Sequence, residues 1–119
     1  MSAPATANEV VRNLADLTRD LRERTSAYRV AELAAAMKRH AADMAEARAF
    51  LEASGAMELR KYTARVAADR QEGDALVAES LVRVLKAELR SIETRIDVGR
   101  TYGATVRAEL ATLGMDGTP

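Results

Sequence analysis

Between Arg95 and Leu110 the chain reads RIDVGRTYGATVRAEL, so that Gly99 and Gly103 bracket Arg100, Thr101 and Tyr102. Two glycines around a cation and a hydroxyl could belong to a phosphate-binding loop. Such a loop needs the G-x-x-x-x-G-K-[ST] pattern after a strand, or a βαβ unit around a dinucleotide fingerprint. Neither context is present here. His40, the only histidine, has Asp43 and Met44 one helical turn on. A general base needs an orienting partner, and a zinc site needs several nitrogen or sulfur ligands. With no cysteine and no Glu-x-x-His pattern, we assign no catalytic residue, no metal ligand and no cofactor. His40 is expected to pack in a helical seam, bonded to Asp74 or Gln71. A third group, Arg83, Lys86, Arg90 and Arg107, lies with Arg100 on one polar helix face that Glu93 and Asp97 interrupt. It makes weak nucleic-acid binding an alternative function, although stacking aromatics are wanting.

The composition points to helices as the elements that hold these residues. Of 119 residues 25 are alanine, aromatic residues are 3%, and both prolines, Pro4 and Pro119, lie at the ends. Alanine is the best helix former, and nothing between the prolines forces a break. The 18 basic and 18 acidic residues cancel, which removes any net attraction to nucleic acid or to an anionic membrane. No basic and apolar leader opens the chain and no apolar run is long enough to span a bilayer, so a cytoplasmic location is expected.

Three apolar registers are legible. Val10, Leu14, Leu17 and Leu21 form the first, with Asn8 as the expected N-cap. The second runs Val30, Leu33, Met37, His40, Met44, Ala47, Leu51, and its change of phase predicts a kink or short break near Thr25-Ser26. The third holds one register from Ala75, Ala78 and Val82 through Leu85, Leu89, Ile92, Ile96, Gly99, Gly103, Val106 and Leu110 to Leu113. Ser54-Gly55 reads as a helix end with glycine in a left-handed conformation, followed by Glu58 in the next first turn. Gly73-Asp74 reads either as a second break or as a disturbance of the register alone. The expectation is therefore an all-α fold with helices over about 7–25, 27–54, 57–72 and 74–113. Residues 7–113 make a single helical-hairpin domain between disordered tails at 1–6 and 114–119.

Reversal at Gly55 sets Leu33 against Ala78, Val30 against Leu81 or Val82, Leu21 against Leu89 and Ile92, and Leu14 against Ile96. Gly99 and Gly103 then become places of close backbone approach, to Leu14 or to a second copy. A further stripe, Val77, Leu81, Val84, Val98 and Tyr102, widens the last helix's apolar face and predicts a homodimer or higher assembly. Leu85, Leu89, Ile92, Ile96, Gly99, Gly103, Val106 and Leu110 are the expected helix-packing and dimer residues. The pairs Arg39–Asp43, Arg48–Glu52, Arg65–Asp69, Arg70–Asp74 and Glu79–Arg83 are expected ion pairs on solvated faces.

Residues 50–110 also carry a resemblance. Phe50-Leu51, Gly55, Glu58-Leu59-Arg60-Lys61, Glu79, Leu85-Lys86, Arg95-Ile96-Asp97-Val98-Gly99-Arg100, Gly103-Ala104 and Arg107-Ala108-Glu109-Leu110 follow in order. The stretch resembles small, helical, coiled-coil-like bacteriophage proteins encoded near phage recombination and single-strand-binding genes. The resemblance implies a context of phage DNA metabolism or counter-defence. The expected function is that of a non-enzymatic accessory protein that contacts a phage or host protein, as recombination accessory, nuclease inhibitor or counter-defence factor. Arg100, Tyr102 and Arg107 are the expected contact residues, since Arg and aromatic side chains make the best anchors. A virion structural or assembly component is the other alternative.

Overall fold

A computed structural model describes residues 6–116, with side chains through Gly114. Three helices follow one another: α1 (Ala7–Glu52), α2 (Met57–Ala67) and α3 (Asp69–Asp116). No strand occurs among the described residues, so the fold is all-α. The chain divides into two compact units, residues 1–25 with 87–119 and residues 26–86.

Helix α1 is capped two residues before the expected place. Thr6 takes the N-cap: its Oγ1 accepts from the Glu9 backbone N–H at 3.2 Å, and Glu9 Oε2 accepts from the Thr6 N–H at 3.0 Å. This reciprocal capping box satisfies two donors that a helix start leaves unpaired; Asn8 lies inside the helix. Of the proposed tails, Thr6 thus caps α1 and α3 runs on to Asp116, while 1–5 and 117–119 lie outside the described residues.

The expected break at Thr25-Ser26 does not occur. Thr25 Oγ1 donates to the Leu21 carbonyl at 2.6 Å and the helix continues. The shift of phase in the sequence is a change in where the large side chains sit. The inward face of α1 passes from Val10, Leu14, Leu17 and Leu21 to Tyr28, Ala31, Ala35 and Ala42 without leaving its register, and these positions are buried or half-buried. The residues read as a second seam, Val30, Leu33, Met37, His40, Met44, Ala47 and Leu51, are all exposed. Alanines, not these larger residues, form the inner seam of the second unit.

In the first unit α1 and α3 run antiparallel, Val10 beside Gly103, Leu14 beside Gly99, and Arg24 Nη1 at 3.5 Å from Glu88 Oε2. Leu85, at the edge of the second unit, and Ile92 and Ile96 of the first are buried. Each such side chain contributes about 1.5–3 kcal/mol when removed from water. Leu89, Gly99 and Val106 are half-buried, but Leu110 and Leu113 are exposed. The α3 seam outruns its partner there, because α1 has only one turn left before its cap at Thr6.

In the second unit Ala31, Ala35 and Ala42 of α1, Ala64 of α2, Ala68 between α2 and α3, and Ala75 near the start of α3 are buried. A buried alanine removes a single methyl from water, roughly 0.8 kcal/mol, but its size lets backbones approach closely. The loop after α1 turns at Gly55 with φ 106. Arg60 reaches back from α2 to cap α1: Nη2 donates to the Phe50 carbonyl at 3.2 Å, and the guanidinium lies 4.4 Å from the Phe50 ring centroid. The charge suits both the carbonyl end of a helix and the face of a ring. The break between α2 and α3 falls at Ala68 (φ −97, ψ 4), whose N–H reaches the carbonyls of both Ala64 and Val66. The expected break at Gly73-Asp74 is absent, and Gly73 sits in continuous helix with no atom near the place of a Cβ.

These glycines give opposite expectations. Gly73→Ala removes backbone freedom from the unfolded chain with no clash, so stability rises by about 1 kcal/mol. Gly55→Ala forces a side chain into positive φ with Leu59 Cδ2 only 3.1 Å away, so stability falls. Thermal unfolding of the two variants beside the parent reads both signs.

Candidate functional site

Within the expected helix-packing set on α3, Gly99 and Gly103 face the chain's own α1. A Cβ placed on Gly99 would come within 2.9 Å of Leu14 Cδ2, and one on Gly103 within 3.2 Å of Val10 Cγ1. The neighbour is therefore α1 of the same chain, and the pair is not available as a ligand loop. Leu14 is a flexible side chain that can swing away. Val10 is β-branched and stiff, and it is itself buried.

The three expected contact residues do not share a face. Arg100 and Tyr102 are two residues apart, about 200° around a helix. Tyr102 is 40% exposed and lines a first-unit cleft with Val98, Gly99, Leu17, Asp20 and Arg95. Arg100 and Arg107 are exposed and do not line that cleft. The basic set also divides, with Arg83 and Lys86 in the second unit and Arg90 and Arg107 in the first. Arg83 is already engaged, its Nη2 donating to Ser80 Oγ at 2.9 Å.

His40 is exposed on the outer face of α1 and is not packed against Asp74 or Gln71. Among the described residues no group of acidic or histidine side chains is arranged to hold a metal ion. The five expected helix-face ion pairs reduce to one long contact, Arg39–Asp43 at 3.9 Å, among the described residues.

Arg39 does something the sequence reading missed. Its Nη1 donates to Glu72 Oε2 at 2.6 Å, and its Nη2 and Nε donate to the two carboxylate oxygens of Glu79 at 2.7 and 3.3 Å. One half-buried guanidinium thus joins α1 to two turns of α3 within the second unit. The fork of donors suits a bidentate carboxylate, a geometry that lysine does not offer. The hydrogen bonds to Glu79 and then Glu72 push the Arg39 pKa up, and the bond from Arg39 holds Glu79 below its ordinary value. An i,i+4 reading could not find this, because the partners are 33 and 40 residues away.

The most distinctive surface is the outer side of α1. At positions 9, 12, 13, 16, 19, 20, 23 and 26 its outward heptad places are Glu, Arg, Asn, Asp, Arg, Asp, Glu and Ser. The equivalent places from 27 to 47 are Ala27, Val30, Leu33, Ala34, Met37, His40, Ala41, Met44 and Ala47. All are exposed. The first run is an ordinary solvated face; the second is apolar apart from His40. Leu51 extends it at 77% exposure, and Ala47, Phe50, Leu51 and Ala64 line an adjoining depression between α1 and α2. Comparing equivalent heptad places along α1 would have revealed this switch in the sequence.

Two substitutions test the packing. Gly103→Leu must displace Val10 and is expected to cost about 1–3 kcal/mol by overpacking, read by urea unfolding. For the Arg39 clasp, a lowered Glu79 pKa contributes stability that is complete above the ordinary glutamate range and lost as pH falls through the lowered value. Glu79→Gln should therefore be less stable than the parent near neutral pH, and the difference should vanish on strong acidification. No family model matches the chain, and neither a curated protein nor a solved structure matches it.

Proposed function

We propose that the protein is a non-enzymatic helical accessory protein that pairs with itself and works through contact with another protein. One observation carries this reading. Of ten buried apolar residues among those described, six are alanine, while eighteen large apolar side chains remain exposed. A chain that spends its smallest residues inside and keeps Leu, Val, Met and Tyr outside presents an adhesive surface. Monomeric proteins rarely leave apolar patches of more than a few hundred Å² uncovered. No described helix is long and apolar enough to cross a membrane, so a bilayer span does not account for that surface.

The partner is a phage or host protein of DNA metabolism or defence, in keeping with the resemblance of residues 50–110. Tyr102 is the anchor, because it combines an exposed ring with the first-unit cleft, whose Asp16, Asp20 and Arg95 supply polar edges. Arg100 and Arg107, seven residues apart on another side of α3, are peripheral. Tyr102→Ala should reduce capture of the partner from cell lysate at least tenfold, with helicity unchanged, whereas Arg107→Ala should leave most of it. Equal capture by all three proteins removes Tyr102 from the interface.

A further inference from the structure

We propose that the exposed apolar face of α1 over residues 27–51 is the seam of a parallel, in-register homodimer, in which α1 of one copy packs against α1 of a second. The proposal rests on the contact-protein reading above and names the surface by which the chain pairs with itself.

The spacing comes first. Val30, Leu33, Met37, His40, Met44, Ala47 and Leu51 step by alternating threes and fours, the repeat of a two-stranded coiled coil. Such a stripe is shaped for knobs-into-holes packing with another helix of the same repeat, and a second copy brings that repeat automatically. Nothing in the folded chain uses it, since Val30, Leu33 and Met37 are each about two-thirds exposed. The repeat is also confined: the equivalent places before residue 27 are all polar, so the face is built for a partner of limited length.

Area is the second argument. Five large side chains with the alanines between them would remove on the order of 600 Å² per copy. Two copies reach about 1,200 Å², the lower end of stable interfaces. The other exposed stripe, Val77, Leu81, Val84, Val98 and Tyr102, is a poorer seam, because Glu88, Ser91 and Arg95 occupy the places in between. The dimer surface thus moves from α3, where sequence periodicity put it, to α1.

Charge sets the direction. Asp43 and Arg48 flank the stripe on opposite sides and are both exposed. Arg48 makes no ion pair among the described residues, and Asp43 has only the 3.9 Å contact with Arg39. Flanking charges five residues apart on opposite sides of a seam meet between parallel, in-register chains, so Asp43 of each copy faces Arg48 of the other. His40 then lies beside its own counterpart, a polar layer that fixes register at a cost in affinity.

Sedimentation equilibrium and oxidative cross-linking test this together. The full chain should sediment at twice 12.9 kDa, and Leu33→Glu with Met37→Glu should return it to monomer at unchanged helicity, since both positions are exposed. His40→Leu should tighten the dimer at least tenfold. The chain has no cysteine, so Met37→Cys supplies a single thiol that a parallel in-register pair cross-links to its own counterpart. A monomer at high concentration, a dimer indifferent to the two glutamates, or a dimer that Met37→Cys does not cross-link overturns the proposal. A parent chain that stays monomeric yet captures its partner through Tyr102 would reject this seam while sparing the contact function; a dimer that behaves as described but captures nothing through Tyr102 would do the opposite.

Discussion

Close approach of helix backbones is the constraint from which the other features follow. Ala64 and Ala75 are almost wholly buried, and Gly99 and Gly103 sit where Leu14 and Val10 press in. Small residues along a seam give many weak contacts at short range, each individually tiny and collectively substantial. In the second unit they also leave little room inside for the larger apolar side chains of α1. Those side chains have only the outer face to occupy.

A seam of alanines is weak in specifying register, because one alanine fits the place of another. The polar contacts supply what the seam lacks. Arg39 can reach Glu72 and Glu79 together in only one alignment of α1 with α3 in the second unit, and Arg60 fixes α2 on the end of α1 through the Phe50 carbonyl. In the first unit the glycines perform this task, since Leu14 and Val10 fit where a Cβ is missing. Different chemistry in the two units solves the same problem of register.

The all-α class, the turn at Gly55 and the α3 register from Ala75 to Val106 were legible because heptad spacing and a positive-φ glycine leave plain marks in sequence. The continuity of α1 through Thr25 was hidden. Reading for large apolar residues follows Val30 and Leu33 outward and loses the buried face, which continues in Ala31 and Ala35. The break at Ala68 carries no mark, being one alanine among many, and Gly73 drew attention that its helical environment does not justify. Arg39 was visible as an i,i+4 neighbour of Asp43, but its cross-helix carboxylates depend on tertiary alignment. Of the contact residues, the angular separation of Arg100 from Tyr102 could have been computed from spacing alone. The exposure of Tyr102 beside a cleft could not.

Bulk placed outside a small-residue core implies that the outer face of α1 is covered when copies meet. Methionine reports on this directly, because thioether oxidation requires access. Met37 and Met44 lie on that face and Met57 on α2, and all three are exposed in the single chain. The decisive measurement is the peroxide oxidation rate of each, resolved by peptide mass spectrometry over a range of protein concentrations. Met37 and Met44 should become protected together as concentration rises while Met57 stays reactive. Three methionines reacting at concentration-independent rates would contradict the account.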